Sequence, residues 1–292
     1  MYYSMLKCSK CKEEKSDMDF YLRNKKYHLY QSTCKKCSNK MCRDRQHRKI
    51  EKFNRKPGGQ RKYTLNENVF DSINECTVYW LGFLYADGYN YEKGKHIALS
   101  LAEEDQKHIE KFKNFLVTNK NINIYPPSRG GEQNMHSLVI YSGKLSNKLK
   151  ELGCMQNKTF KIQFPTFLPD DMIRHFIRGY FDGDGSVGRY FNKNKNNYNC
   201  VISIVSNEQF LSELKIIIEK NCNINLYLYK NFNKGKSDVK SISSNGSFQV
   251  YKFLNWIYED CTIYLDRKYS KYIEIKNWLL TRPYKKGQKS IK

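Results

Sequence analysis

LGFLYADG at residues 81–88 and IRGYFDGDG at residues 177–185 echo one another. Each is an apolar run ending in Asp-Gly; Gly82 and Ala86 of the first match Gly179 and Gly183 of the second, and Asp87 and Asp184 stand 97 residues apart. Small residues at i and i+4 leave room for a second helix backbone, so the two stretches are expected to be helices packed on each other. Gly88 and Gly185 suit the left-handed position just past a helix C-terminus. Asp87 and Asp184 then sit where the macrodipole is negative and carbonyls are unpaired, a poor place for one carboxylate and worse for two. Something cationic must compensate. Carboxylates, terminal carbonyls and water are the oxygen set that Mg²⁺ accepts while also binding phosphate. Either stretch alone also reads as a buried helix closed by a turn. Two copies in a strongly basic chain favour a site.

The residues after each motif run in the same order, which strengthens the echo. After the first come a strand-like alternation (HIALSL, 96–101), a helical pattern (Ile109, Phe112, Phe115, Leu116), INIY (122–125), the strand SLVIY (137–141) and the helix LSNKLKELG. After the second come CVISIV (200–205), the pattern Phe210, Leu211, Leu214, Ile217, Ile218, then INLYLY (224–229), VKSIS and the helix FLNWIY. Two copies of a helix-strand-strand-helix unit in an α+β chain are expected. NKNKNN (192–197) and NFNKGKSD (231–238) read as polar hairpin loops that can also touch phosphates.

The chain has 292 residues, 39% of them hydrophobic, and a net charge of +23. Such charge opposes folding through self-repulsion, so a polyanionic partner, nucleic acid or an acidic membrane face, is expected and a purely structural role disfavoured. No run of about eighteen apolar residues exists and the N-terminus lacks the pattern of a signal peptide, so a soluble intracellular protein with no membrane association is expected. Residues 1–62 hold 19 Lys and Arg against 6 acids, +13 of the total, and Pro57-Gly58-Gly59-Gln60 follows as a linker. The expected organisation is a basic module over 1–56, a linker and lead-in over 57–75, repeat units over 76–170 and 171–280, and a basic tail over 281–292.

Ten cysteines in an intracellular chain are reduced thiols or metal ligands. Only Cys8, Cys11, Cys34 and Cys37 form pairs, CSKC and CKKC, with 22 residues between them. That is the spacing of a tetrahedral structural Zn²⁺ site. With Phe20, Tyr21 and Leu22 as its few central apolar residues, so small a module would draw much of its folding energy from the metal. Redox thiols are the alternative; Cys42, His28 and His47 read as spare ligands or surface residues. The following stretch, with Arg43, Arg45, Arg48 and Lys49, reads as a helix that contacts phosphate.

Residues 63–280 resemble the LAGLIDADG (dodecapeptide, DOD-type) homing endonucleases with two motifs in one chain, here with an N-terminal zinc-finger-like module. The likeness rests on the lead-in YTLNENVFDSINECTVYW, LGFLYADG, HFIRGYFDGDGS, the inter-copy segment LKELGCMQNKTFKIQFP and YLDRKYSKY. It implies two pseudo-twofold-related LAGLIDADG units sharing a two-helix interface at Gly82, Ala86, Gly179 and Gly183. Their antiparallel sheets would lie in the DNA major groove. It also implies Mg²⁺ (or Mn²⁺) on Asp87 and Asp184, with the Ala86 and Gly183 carbonyls as further ligands. The family's basic residue near the metals maps to Lys158 and Lys268, with Arg267 as a further DNA contact. The same positions also read as solvated surface residues. Where the family has a further acid, this sequence has Tyr85 and Asp182; a buried Asp182 needs a partner.

The implied function is site-specific cleavage of both strands of double-stranded DNA at a long target, by a monomer. An intron RNA maturase on the same scaffold and a DNA-binding regulator without chemistry are the alternatives.

Overall fold

The computed structural model describes residues 5–24, 29–41, 61–127, 132–156, 161–193, 197–230 and 239–281. The chain divides into two units, Met1–Lys62 and Tyr63–Lys292.

In the first unit, strands β1 (Met5–Lys7) and β2 (Glu14–Ser16) form one antiparallel pair, and β3 (Phe20–Asn24) and β4 (Leu29–Cys34) another. A helix, α1, runs over residues 35–41. Among its described residues the buried core is Phe20 with Cys8 and Cys34.

The second unit is built around two helices. Helix α2 (Glu75–Ala86) starts at Asn74, whose side chain accepts the Thr77 N–H, and it is apolar on every side: all residues from Thr77 to Ala86 are buried. Between α2 and its partner come β5 (Gly88–Tyr91), β6 (His96–Ala102), α3 (Gln106–Phe115), β7 (Asn123–Tyr125), β8 (Met135–Tyr141) and α4 (Gly143–Glu151). Helix α5 (Asp170–Asp184) follows Pro169 and carries Asp170 and Asp171 in its first turn, where carboxylates favour the helix dipole. After it come β9 (Gly185–Asn192), β10 (Asn197–Asn207), α6 (Glu208–Cys222), β11 (Tyr227–Lys230), β12 (Val239–Asn245), α7 (Ser247–Tyr258) and α8 (Asp266–Thr281).

The two halves share a topology. Their sheets are antiparallel, ordered β5-β6-β8-β7 and β9-β10-β12-β11. Helices α3 and α4 cover one sheet, α6 and α7 the other. Ile97, Leu99 and Leu101 alternate along β6, and Cys200, Ile202 and Ile204 along β10, turning one face of each sheet into a core. Each large apolar side chain so buried contributes about 1.5–3 kcal/mol.

Helices α2 and α5 meet backbone to backbone. A Cβ on Gly82 would stand 2.1 Å from the Phe176 carbonyl oxygen, and one on Gly179 2.0 Å from that of Tyr79. The fully buried Arg178 locks the pair: Nε donates to Ile263 O at 2.9 Å, Nη1 to Ile257 O at 2.9 Å and Nη2 to Glu75 Oε1 at 2.6 Å. The fold is thus α+β, two like halves joined through two helices, with the small module at the N-terminus.

Each half has two strands beyond the expected helix-strand-strand-helix unit, β5 and β7 in the first and β9 and β11 in the second. The chain enters β5 and β9 directly from the motif helices, at Gly88 and Gly185. Among the described residues no helix is long and apolar enough to cross a membrane. Pro57-Gly58-Gly59-Gln60, residues 194–196 and 231–238 of the polar hairpin segments, and residues 282–292 lie outside the described residues.

Candidate active site and metal centre

Asp87 caps α2, its N–H donating to Phe83 O at 2.9 Å, and Asp184 is the last residue of α5; both are exposed. The helix ends touch at this level. A Cβ on Gly183 would stand 2.3 Å from the Ala86 Cβ and 3.2 Å from Asp87 Oδ2. The predicted left-handed glycines are corrected: neither Gly88 nor Gly185 has positive φ, and Gly185 is extended at φ −84°, ψ 158°. Space explains these glycines. A Cβ on Gly88 would stand 2.6 Å from the Leu84 carbonyl oxygen, and one on Gly185 2.5 Å from that of Phe181, because each strand folds straight back on its helix.

The cation at the end of α5 is a side chain. Lys268, buried on α8, donates from Nζ to the carbonyls of Phe181 (2.6 Å), Asp182 (2.8 Å), Gly183 (3.3 Å) and Gly185 (2.5 Å). Burial pulls its ammonium down to about 8, against the opposing charges of Asp182, Asp87 and Asp184. Asp182, which needed a partner, has three: Tyr79 Oη donates at 2.7 Å, Tyr258 Oη at 2.5 Å and the Leu265 N–H at 2.8 Å. Burial nevertheless raises its pKa, while Lys268 and these donors favour the carboxylate. Its match in the first motif, Tyr85, donates instead to Leu152 O at 2.6 Å.

The two helix ends differ in their neighbours. Beside Asp184 lies a hollow of about 200 Å³ lined by Tyr85, Ala86, Ile162, Tyr180, Ser206 and Val205 among others. Tyr180 Oη lies 2.9 Å from Ser206 Oγ and 3.1 Å from Val205 O; burial, then the Asp184 charge, push its phenol pKa up. The matching residue beside Asp87 is Phe83, with no hydroxyl. The first half also inserts an acidic 3-10 turn, Glu103–Asp105, before α3. Asp105 holds Arg267, whose Nε donates at 2.9 and 3.0 Å to its two carboxylate oxygens. The predicted DNA contact Arg267 is therefore ion-paired within the protein. Asp105, Tyr180, Ser206, Tyr79 and Tyr258 escaped the sequence reading, and no spacing in the sequence marks them.

In the first unit the ligand atoms of Cys8, Cys11, Cys34 and Cys37 all lie within 4.8 Å of one another, the one such cluster among the described residues. A tetrahedral zinc with Zn–S near 2.3 Å needs sulfurs about 3.8 Å apart, so the donor set fits. The Cys34 N–H donates to Cys8 Sγ at 3.2 Å, and this bond, with others from the backbone of Cys11 and Lys10, lowers the Cys8 thiol to about 6, toward the thiolate a metal requires. Lys158, Arg43, Arg45, Arg48 and Lys49, and the spare-ligand candidates Cys42, His28 and His47, lie outside the described residues.

The LAGLIDADG-like domain family model matches residues 171–258, the span from α5 through α7. No curated protein matches the chain. Similar solved structures include the I-SmaMI LAGLIDADG homing endonuclease bound to cleaved DNA, at 14% identity and TM-score 0.46, covering 70% of this chain and 88% of that one. The I-LtrWI LAGLIDADG homing endonuclease bound to target DNA is 13% identical, with TM-score 0.47 over 72% of this chain and 92% of its own. The LAGLIDADG meganuclease I-AabMI bound to uncleaved DNA is 11% identical, with TM-score 0.47 over 71% and 91%.

Proposed function

We propose that this protein is a site-specific endonuclease that hydrolyses both strands of duplex DNA, with divalent metal held by Asp87 and Asp184. The observation that carries the proposal is the abutment of the two helix ends, where Asp87 Oδ2 would be 3.2 Å from a Cβ on Gly183, next to Asp184. Adjoining helix ends thus each present an exposed carboxylate, the hard oxygen donor that a divalent cation accepts. Bound Mg²⁺ or Mn²⁺ would supply an activated water and stabilise charge on the phosphate. The carbonyls of Ala86 and Gly183 offer further hard oxygens at the same level.

The protein's own groups set the geometry. Lys268 acts as a positioning residue: its ammonium neutralises the α5 carbonyls and fixes where Asp184 leaves the helix. Tyr180 and Ser206 border the space beside Asp184. The N-terminal module would hold Zn²⁺ on its four cysteines and, through its basic residues, lengthen the DNA contact and raise affinity by linkage. The internal repeat supplies both half-sites, so the active form is a monomer.

The test is cleavage of a plasmid pool carrying candidate sites, with Mg²⁺ or EDTA, beside Asp87→Asn and Asp184→Asn. Metal-dependent linearisation at one position, lost in either variant while DNA binding is kept, is expected. Full cutting by either variant would refute the assignment.

A further inference from the structure

The sheet faces turned away from the helices carry almost no formal charge, although the unit lies in a chain of +23. The eight strands of the two sheets contain no Asp or Glu and only three Lys or Arg: Arg189, Lys230 and Lys240. Arg189 stands opposite buried Cys200, pairs with Glu274 at 3.1 Å and stacks on Tyr198 and Trp278. Lys240 pairs with Glu208 of α6, the helix behind the sheet. Both are thus committed on the helix-covered side. Lys230 is the last residue of β11.

The outer faces are made of other chemistry. Ala98 and Val139 are register partners on β6 and β8, and Val201 and Val205 lie outward on β10 between buried Cys200, Ile202 and Ile204. Asn199 and Asn245 share the outer face of the second sheet, with Ser203 between Ser186 and Ser243. Tyr89, Tyr125, Tyr141, Tyr190, Tyr227 and Tyr229 are each 42–54% exposed. Exposed lysines gather at strand ends, at Lys93, Lys95 and Lys193, where they would meet phosphates rather than bases.

In the major groove guanine is read chiefly by Arg or Lys, and the cytosine amine by Asp or Glu. Asn reads adenine, and apolar groups contact the thymine methyl. These faces carry the second pair of readers and none of the first. We propose that the two outer sheet faces select A·T-rich duplex DNA, with Asn199 and Asn245 on adenine and the Ala98, Val139, Val201 and Val205 methyls on thymine. This deepens the function proposed above and rests on its DNA-binding half.

Selection of the full zinc-loaded chain on a randomised DNA duplex library, with Ca²⁺ in place of Mg²⁺, tests it. Recovered sites are expected to hold A·T over G·C by about tenfold at most positions beneath the faces. Sites fixed as G·C there, or no preference, overturn the proposal. Ser203→Arg, an outward change at the middle of β10, is expected to convert one position to G·C and leave the rest; an unchanged profile means the face does not touch bases and also overturns it. Incubating the recovered pool with Mg²⁺ separates the two proposals. An A·T-rich pool that is bound but never cut refutes the nuclease and leaves this inference standing, while a G·C-rich pool that is cut does the reverse.

Discussion

Gly179 of α5 lies so close to Tyr79 of α2 that a Cβ there would stand 2.0 Å from the Tyr79 carbonyl oxygen. The obstacle is backbone on a helix buried on all sides, so it cannot swing away as a side-chain tip would. Gly179→Ala is expected to destabilise the second unit by about 3 kcal/mol, at the upper end of overpacking costs. The denaturant midpoint reads this out, and an unshifted midpoint would mean that the two helices are not in backbone contact.

Lys268 offers three N–H donors to a cage of carbonyls and stands near buried Asp182. Lys268→Met keeps the stem but strips the α5 end of its shared donor and Asp182 of its ammonium, a loss of about 3 kcal/mol. Lys268→Arg is not expected to restore it, because a planar guanidinium cannot converge on one helix end. Melting temperatures of the two variants check this; recovery by arginine would argue for a role of charge alone.

Two buried histidines set the acid limb of stability. Burial holds His108 down to about 3 and His175 down to about 4, the latter with Arg178 beside it. Both are neutral when folded and charge near 6.5 when unfolded, so stability is present above that pH and falls as pH drops below it. Each contributes a slope of up to about 1.4 kcal/mol per pH unit. Asp182, raised by burial, works the other way, becoming less unfavourable as the solution turns acid. Unfolding free energies between pH 7 and pH 5 should therefore decline, and His108→Phe should make the decline shallower whatever it does to stability at pH 7.

Zinc should be retained by the isolated full chain at about one ion per molecule, measured by metal analysis, and lost in Cys34→Ser. The second unit does not depend on this ion for its core, so its thermal transition should survive the substitution. Weaker DNA binding in the variant is expected if the module touches DNA; equal affinity would leave the module a structural or protein-binding role.

How much of this was legible beforehand follows from periodicity. The inner strands β6, β8, β10 and β12 and the helices after them show alternation or helical spacing, and all lie where the sequence reading put them. The α2–α5 pair was readable from the stripe of Gly82, Ala86, Gly179 and Gly183 rather than from amphipathicity, since a helix buried on every side has no polar face. GYNY and GSVGRYFN gave no strand signal: each opens on glycine and mixes in polar residues, and their pairing with β6 and β10 supplies what local preference lacks. The paired carboxylates were visible because they repeat. Lys268 was reached only through the family resemblance, and its carbonyl partners were not legible, because they lie 83 to 87 residues earlier in the chain. Asp105 with Arg267, 162 residues apart, is the same case.

The ends of the two halves are exchanged. Asn207 of the second half donates to Ile162 O at 3.0 Å, on the segment that trails the first. Lys111 of the first half donates to Tyr264 O at 2.9 Å and Asp266 Oδ1 at 2.6 Å, on the segment that trails the second. Each repeat is therefore buttoned shut by the tail of its sibling. A hybrid that grafts one repeat onto a foreign partner must bring along residues 161–164 or 262–268 as well as the repeat itself. Cutting at the visible repeat boundary would leave both donor and recipient with an open seam.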